Sequence, residues 1–383
     1  MFTINYDNLL KFKLPSPCYL IDCDTLKGNL LLMKKRCEYL HIKPLLAVKG
    51  FPLALVYHEI SSYLCGTSAS GLFETLLGAY LGKENHIHAP AYREDEIEKI
   101  LNHCDHIVFN SYSQWERYRE IVKKKIPYVS PGLRINPEYS EVSVDKYNTC
   151  LPNSRFGLTH KELSKHDISE IDGLHLHVMC EQGAETLLNV INVVREKFCN
   201  YLHSVKWINL GGGHQLANSD YNYEILREPL LKLMSDFNIQ IYVEPCEAVV
   251  ENCGYLITTV LDVVENGKKT AILDTSACCH MPGILEMPYV PDIVFPPTSE
   301  KKQFNYILSG VSCMAGDIIG EYQLDKELKV GDKIIFSNMG AYSFARENYF
   351  NGINYPSIAL FDKNNGLRVV KSFSYSDYLK NYY

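Results

Sequence analysis

The sequence lacks the features that mark several large classes of protein. Its thirteen cysteines form no C-x-x-C pair, and no apolar run is long enough to span a membrane. Residues 1–17 contain no continuous apolar core, so they predict no signal peptide. No block of like charges is longer than residues 123–125, and the net charge of −7 argues against nucleic acid as a partner. We therefore expect a cytoplasmic protein with free thiols and with no metal, membrane or nucleic-acid partner.

Short apolar segments alternate with longer amphipathic ones through the first two thirds of the chain. The composition, 46% hydrophobic and 22% charged over 383 residues, suits a globular protein with a large and a smaller domain. The predicted strands are residues 44–49, 63–67, 86–89, 106–110, 132–136, 173–178, 206–210 and 240–244. Because parallel strands need crossover helices, this α/β pattern predicts a (β/α)8 TIM-type barrel, with a doubly wound sheet as the alternative.

The pattern changes to strands and turns after about residue 250. The predicted strands there are residues 255–264, 269–274, 305–309, 333–337, 358–361 and 367–373, and residues 18–21 form another that can join them. We therefore predict three parts. Residues 1–24 hold an N-terminal strand that joins the β domain, residues 25–250 form the barrel, and residues 251–383 form a C-terminal all-β domain.

Three of the predicted barrel strands lead into residues that suit one cofactor. Lys49 ends the first strand, Gly211, Gly212 and Gly213 follow the seventh, and Glu244 ends the eighth. A lysine can bond to an aldehyde, glycine N–H groups can bind a phosphate, and a carboxylate can keep a pyridine nitrogen protonated. Each feature alone is common, since most lysines are surface residues and most glycine runs are turns. Their order and their place at strand ends predict a site for pyridoxal 5'-phosphate (PLP).

Two histidines lie two residues apart in the sixth predicted strand. His175 and His177 share one face of that strand, and the leucines that alternate with them place this face toward the barrel interior. Both a functional role and a hydrogen-bonded place in the core are consistent with this pattern. A zinc site is not predicted, because no third ligand has suitable spacing.

Further motifs occur in one order from about residue 15 to the C-terminus. They are Ala47-Val-Lys49-Gly50, Leu133-Arg-Ile-Asn-Pro137, Ser154-Arg-Phe-Gly157, Gly173-Leu-His-Leu-His-Val178, Glu244-Pro245, Ser312-Cys-Met-Ala-Gly-Asp317 and Met339-Gly-Ala-Tyr342. As a set they resemble the fold-type III PLP decarboxylases, which include ornithine and diaminopimelate decarboxylases and share their barrel with alanine racemase. Trp207-Ile-Asn-Leu210, His280-Met-Pro282 and Phe350-Asn-Gly352 are similar to the carboxynorspermidine decarboxylase branch.

The resemblance implies roles for the residues around the cofactor. Lys49 would hold PLP covalently, His177 would stack on the pyridine ring, and Glu244 would pair with the ring nitrogen. The three glycines and the Tyr342 hydroxyl would contact the phosphate.

The resemblance also implies a homodimer with shared active sites. Cys313 would cross into the partner's site and return a proton during catalysis. Asp317 lies near that interface in the family and would help to frame the substrate. Glu247, where ornithine-type enzymes have arginine, would bind the substrate, and Gly283 stands where the branch usually has an aspartate suited to a distal amine.

The implied reaction removes the α-carboxylate of a 3-amino-3-carboxypropyl group, as in carboxynorspermidine or carboxyspermidine, to give norspermidine or spermidine. The alternative is the same group on a peptide–nucleotide in microcin C-type maturation, because Gly283 and Cys246 change only the substrate side. A glycine is usual at position 246 in the family, so a side chain there would strain the backbone by about 1 kcal/mol if φ were positive.

Other classes are disfavoured by particular residues. Another amino-acid decarboxylase would carry arginine in place of Glu247, and a racemase would avoid the strong acid Glu244 at the ring nitrogen. A non-catalytic homologue that acts by binding other proteins would not need Lys49, His177 and Cys313 intact.

Overall fold

The computed structural model describes residues 13–287, 289–294 and 303–383. Its contacts divide the chain into two compact units. The barrel unit is Asn29–Val249, and the sheet unit combines the described residues up to Gly28 with those from Val250 to Tyr383. The predicted fold class is confirmed, because one unit contains a parallel barrel and the other a separate sheet. The domain limits at residues 24 and 250 stay a prediction.

The strands and helices are numbered here in chain order. The strands are β1 (Cys18–Asp22), β2 (Lys43–Ala47), β3 (Gly66–Ala69), β4 (Glu84–His88), β5 (His106–Phe109), β6 (Ser130–Asn136), β7 (Leu158–Thr159), β8 (Gly173–His175), β9 (Trp207–Asn209), β10 (Gln240–Val243), β11 (Gly254–Asn266), β12 (Lys268–Leu273), β13 (Phe304–Ser309), β14 (Ile318–Leu324), β15 (Lys333–Ser337), β16 (Ser357–Asp362) and β17 (Gly366–Lys371). The α-helices are α1 (Cys23–Leu40), α2 (Tyr57–Ile60), α3 (Leu72–Gly78), α4 (Ile97–Leu101), α5 (Tyr112–Lys123), α6 (His160–Leu163), α7 (Ala184–Leu202), α8 (Arg227–Phe237), α9 (Glu247–Val250), α10 (Ala277–His280), α11 (Gly283–Glu286) and α12 (Tyr375–Leu379). Within the described ranges, none of these helices has the length and apolar character needed to cross a membrane.

The barrel closes through parallel pairing of eight strands. The ring order is β2, β3, β4, β5, β6, β8, β9 and β10, and β10 pairs back with β2. All eight predicted strands are present, but their ends differ. The second predicted strand begins later than expected, at Gly66, because residues 61–63 form a turn after α2. The sixth ends earlier, at His175, because the His177 carbonyl accepts from the Thr149 and Arg134 side chains instead of a neighbouring strand.

Trp207 fills the barrel interior at the start of β9. It forms a buried cluster with Leu45, Val108 and Tyr242. A Cβ atom at Gly173 would lie 2.0 Å from the indole ring, and one at Gly132 would lie 2.5 Å from it. Strands β6 and β8 therefore carry glycine at the positions where the indole ring of Trp207 lies against their backbone.

The sheet unit is built around the long strand β11. The strand order is β14-β13-β12-β11-β1-β16-β17, and β15 also pairs with β11. The buried core includes Tyr19, Leu256, Leu273, Leu308 and Phe336. The six strands predicted after residue 250 are present, and β1 pairs with β11 and β16. Sequence reasoning missed β14, because Ile-Ile-Gly-Glu-Tyr-Gln-Leu mixes glycine and charge and alternates poorly.

The contact between Gly173 and Trp207 gives a stability prediction. We expect Gly173→Ala to lower the free energy of unfolding by about 1–3 kcal/mol, because the new Cβ atom would lie 2.0 Å from the indole of Trp207, which is itself buried. Gly28→Ala is the control, since a Cβ atom there meets nothing within 4 Å in helix α1, and it should raise stability by ~0.5–1 kcal/mol. Urea unfolding followed by tryptophan fluorescence measures both. Equal unfolding midpoints for the two variants would contradict the packing described.

Candidate active site

Three strand ends meet at one edge of the barrel. Lys49 lies just beyond β2, Gly211 just beyond β9 and Glu244 directly after β10, and these three strands are neighbours in the ring. Burial alone would raise the pKa of the Glu244 carboxyl, but His175 and the Lys49 ammonium outweigh burial and hold this pKa well below its usual value. The convergence expected from the strand order is therefore present.

The Glu244 side chain is held through one of its two oxygens. Oε1 accepts hydrogen bonds from Ser68 Oγ on β3 and Asn209 Nδ2 on β9, both at 2.8 Å. His175 Nε2 lies 3.4 Å from the same oxygen. Oε2 accepts no hydrogen bond from the described part of the chain. A buried carboxylate fixed on one side in this way can present its second oxygen to a protonated ring nitrogen.

His177 is neutral and has a fixed orientation. The Gly212 N–H donates to His177 Nδ1 at 2.9 Å, so a neutral ring carries its proton on Nε2. Burial, followed by the nearby Lys49 and Arg134 cations, lowers the pKa of His177 well below its usual value. The ring is therefore an uncharged flat surface beside Lys49, which is the character needed to lie against an aromatic cofactor.

The backbone conformation requires glycine at positions 211 and 213, but two of the three N–H groups in this turn already donate to side chains. Gly211 has φ of +74° and Gly213 has φ of +86°, and a Cβ atom at either would lie within 2.4 Å of a carbonyl oxygen. The Gly211 N–H already donates to Asn209 Oδ1, and the Gly212 N–H donates to His177. Of the three N–H groups, only that of Gly213 donates a hydrogen bond to no described residue. The phosphate contacts expected of the three glycines stay a prediction, and the Gly213 N–H is the donor still open for one.

The segment after Glu244 is less strained than expected. Cys246 is buried, but it is absent from the residues with positive φ, so its side chain adds no left-handed strain. Glu247 begins α9 and is half-buried. Burial first and then the Glu247 charge raise the pKa of Cys180 to about 11. Cys180 thus lies close to Glu247 at the same edge of the barrel and was not identified from the sequence.

In the sheet unit, Asp317 is saturated by internal hydrogen bonds. The side chain is 2% exposed. Its Oδ1 accepts from the Ala277 N–H at 2.6 Å, and its Oδ2 accepts from Ser276 Oγ at 2.8 Å and the Ser312 N–H at 3.1 Å. Asp317 therefore holds the loop that contains Cys313, and its expected part in framing the substrate stays a prediction.

Cys313 and Tyr342 lie on fixed backbone segments of the same unit. Cys313 is exposed, and its N–H donates to Asn351 Oδ1 at 2.8 Å. Tyr342 has φ of 54°, a left-handed conformation that is strained for an aromatic residue and that marks functional segments.

The backbone conformation at position 283 does not require glycine. It begins α11, and a Cβ atom there would lie 3.6 Å from Arg346 Nη1 and from the Tyr289 hydroxyl, which is ordinary contact. Arg346 Nη2 is paired with Glu286 Oε2 at 2.5 Å. The position therefore leaves room for a side chain and faces a cation.

Sequence reasoning missed the residues that position the predicted ones. Asn209 was visible as a polar residue inside an apolar strand, a pattern that indicates an interior hydrogen bond. Ser68 could not be recognised in the same way, because its strand, Gly66-Thr-Ser-Ala69, is not otherwise apolar. Arg134 was noted only within a motif, yet it is 4% exposed and lies 3.3 Å from His88 Nδ1.

A second group of titratable residues lies at the opposite ends of the strands. Glu84, His86 and His106 have potential ligand atoms within 4.8 Å of one another. The sequence-based expectation of no metal site rested on the spacing near His175 and did not consider this group. Glu84 is already paired with Lys43 Nζ at 2.8 Å, so its charge is balanced without a metal ion, and we assign none.

The residues at the carboxyl ends of the strands suit PLP. They combine an amine, a buried carboxylate with one open oxygen, a neutral imidazole and a glycine turn, which define a PLP-binding barrel. Residues 18–340 match the family described as pyridoxal-dependent decarboxylase, C-terminal sheet domain. The chain therefore belongs to the PLP-dependent decarboxylases, and the predicted enzyme class and cofactor are confirmed.

Several relatives are similar over nearly their whole length. The chain is 38% identical to carboxynorspermidine/carboxyspermidine decarboxylase of Campylobacter jejuni, covering 96% of this chain and 98% of the relative. It is 36% identical to carboxyaminopropylagmatine decarboxylase of Synechocystis, covering 98% of each. The crystal structure of the C. jejuni carboxynorspermidine decarboxylase with norspermidine superposes with a TM-score of 0.87 at 36% identity, covering 96% of this chain and all of that one.

The hydrogen bond from Asn209 to Glu244 gives a prediction about cofactor affinity. We expect Asn209→Leu to raise the PLP dissociation constant by about 10-fold or more, because it removes a donor to a buried carboxylate. Titration of cofactor-free protein with PLP, followed by visible absorbance, measures this constant. Asn189→Leu is the control, since Asn189 also donates to a carboxylate, that of Glu141, but at an exposed position. Identical PLP affinity in the two variants would rule out the positioning role of Asn209.

Proposed function

We propose that this protein removes the α-carboxylate from a 3-amino-3-carboxypropyl group, with carboxynorspermidine and carboxyspermidine as substrates. The observation that carries this proposal is the full-length similarity to curated enzymes for these compounds. The Synechocystis relative also acts on a carboxylated aminopropyl amine. The carboxylated end of the substrate is thus common to these relatives, while the amine attached to it varies.

When bound, PLP supplies an aldehyde that takes up the substrate amine and a ring that accepts electrons as carbon dioxide leaves. In the proposed site, Lys49 holds this aldehyde between turnovers. Glu244 Oε2 keeps the ring nitrogen protonated, because an adjacent anion stabilises the charged form. The neutral His177 ring would lie against the cofactor, and the Gly213 N–H and the Tyr342 hydroxyl would each be available to its phosphate.

The remaining residues act on the substrate. Glu247 binds a substrate ammonium, which its charge and half-buried position support. Cys313 returns a proton to the carbon that has lost its carboxylate, and Asp317 positions Cys313 by holding its loop. Gly283 leaves space beside the substrate's distal part.

We also propose that the enzyme acts as a homodimer in the cytoplasm, with Cys313 serving the partner's site. The exposed position of Cys313 supports this. All thirteen cysteines are free thiols, as expected in a reducing compartment.

The decarboxylation itself is tested with purified, PLP-loaded protein. We expect mass spectrometry to show loss of carbon dioxide from carboxynorspermidine and carboxyspermidine but not from diaminopimelate, because the site follows the polyamine relatives. Lys49→Ala is the control and should abolish both turnover and the visible absorbance of bound PLP.

Other substrates give informative outcomes in the same assay. Faster decarboxylation of carboxyaminopropylagmatine would move the assignment to the Synechocystis activity. Decarboxylation of diaminopimelate alone would contradict the proposal. If no carboxylated amine reacts while PLP is bound, the aminocarboxypropyl peptide–nucleotide becomes the next substrate class to test.

The role of Cys313 is tested separately. We expect Cys313→Ala to lower kcat by about 100-fold or more, because a positioned proton donor is lost, while PLP affinity stays unchanged. Cys199→Ala, which removes another exposed thiol, should keep normal turnover. A normal kcat in Cys313→Ala would remove this residue from the mechanism.

A further inference from the structure

Glu347, in the sheet unit, is a carboxyl group with a buried oxygen, Oε1, that has no hydrogen-bond partner among the described residues. Burial is the only cause acting on its pKa, which it raises to about 9. The adjacent Arg346 does not neutralise it, since that guanidinium is paired with Glu286. A cation bound here would therefore meet no competing partner, and it would stabilise the ionised form that burial disfavours.

The surroundings of Glu347 are aromatic. The Tyr355 hydroxyl donates to the Glu347 carbonyl at 3.4 Å. Tyr349 stacks on Tyr355 with ring centres 3.9 Å apart, and Tyr378 packs edge-on against Tyr349 at 5.5 Å. Burial raises the pKa values of three nearby phenols, and the Glu347 charge raises them further. They are those of Tyr19, Tyr349 and Tyr355.

One carboxylate among aromatic rings selects a particular kind of cation. Divalent metal ions require several oxygen or nitrogen ligands, and among the described residues Glu347 belongs to no group of three potential metal ligands. The Asp377 carboxylate acts on Tyr349, but it is paired with Lys380. An alkylammonium group is satisfied by one carboxylate together with aromatic faces, which attract cations through their quadrupoles.

We propose that Glu347, Tyr349 and Tyr355 form a binding site for an alkylammonium group of the substrate and product. The choice of a polyamine as ligand rests on the proposed function, whereas the site itself follows from the sheet unit alone. The ammonium pairs with the Glu347 carboxylate and its methylene groups pack on the tyrosines.

The pairing predicts a proton signature that a purely structural carboxyl group would not give. At about pH 7.5 the free carboxyl is protonated, because its pKa lies near 9. Norspermidine is already cationic at that pH. Binding must ionise Glu347, so about one proton is released for each ligand bound. Calorimetric titration of the PLP-loaded protein with norspermidine, in two buffers of different ionisation enthalpy, measures this release.

Glu347→Gln is the decisive variant, since the amide mimics the protonated acid and preserves packing. We expect it to abolish the proton release and to raise the norspermidine dissociation constant by about 10-fold or more. Glu286→Gln is the matched control, because that carboxylate is already paired with Arg346, and it should keep both wild-type values.

A second ligand tests which charge is recognised. An analogue in which one terminal ammonium of norspermidine is replaced by methyl should bind wild type and Glu347→Gln equally. Unchanged affinity and proton release in Glu347→Gln would overturn the proposal, as would failure of the wild-type enzyme to bind norspermidine. If Glu347→Gln does not fold, Tyr349→Leu replaces it, and unchanged norspermidine affinity there would overturn the proposal. The titration involves no turnover, so its failure is distinct from a failure to decarboxylate carboxynorspermidine.

Discussion

The buried negative charge of Glu244 is the constraint on which the barrel interior depends. A carboxylate removed from water is costly unless it is paired and hydrogen-bonded. Here its neighbours come from separate strands: Ser68 from β3, His175 from β8 and Asn209 from β9. A shift in the register of any one of these strands would remove one of the groups that stabilise the charge. The same Asn209 accepts the Gly211 N–H, so the carboxylate and the glycine turn are fixed by one side chain.

The histidines near Glu244 are neutral despite that charge, which by itself raises their pKa values. Burial lowers the pKa values of His88, His175 and His177, and the nearby cations add to this effect at His88 and His177. The imidazoles therefore stay neutral between Glu244 on one side and Lys49 with Arg134 on the other. Neutral rings separate the charges without adding to the cost of burying them. Only groups that act on the cofactor need to carry charge, and the histidines provide shape and hydrogen bonding.

The sequence was sufficient to predict the barrel and the convergence of its main residues. Strand periodicity located the eight strands, and their closure placed Lys49, Gly211 and Glu244 at neighbouring strand ends. Strand ends were less accurate, because side chains such as Arg134 replace backbone partners after β8. Periodicity has no information about such long-range bonds.

The hydrogen-bond assignments were beyond sequence reasoning for a similar reason. Which glycine N–H remains open depends on the Asn209 and His177 side chains that approach from other strands. Asp317 was assigned to the substrate by its motif, but its oxygens bind the backbone of its own loop and α10. A carboxylate's role is set by the donors that surround it in space, and the sequence shows only that the carboxylate exists.

The charges of the sheet unit illustrate how one reaction can serve different amines. Position 283, where the resemblance led us to expect an aspartate, carries no side chain and faces Arg346. That arginine is held by Glu286, which leaves Glu347 as the shielded carboxylate of the segment that follows Tyr342. Moving a carboxylate from one position to another changes which end of a polyamine can be neutralised, without altering any group at the cofactor. If Glu347 binds the substrate as proposed, the choice of amine is set by a carboxyl group in the sheet unit and requires no change among the residues that hold the cofactor.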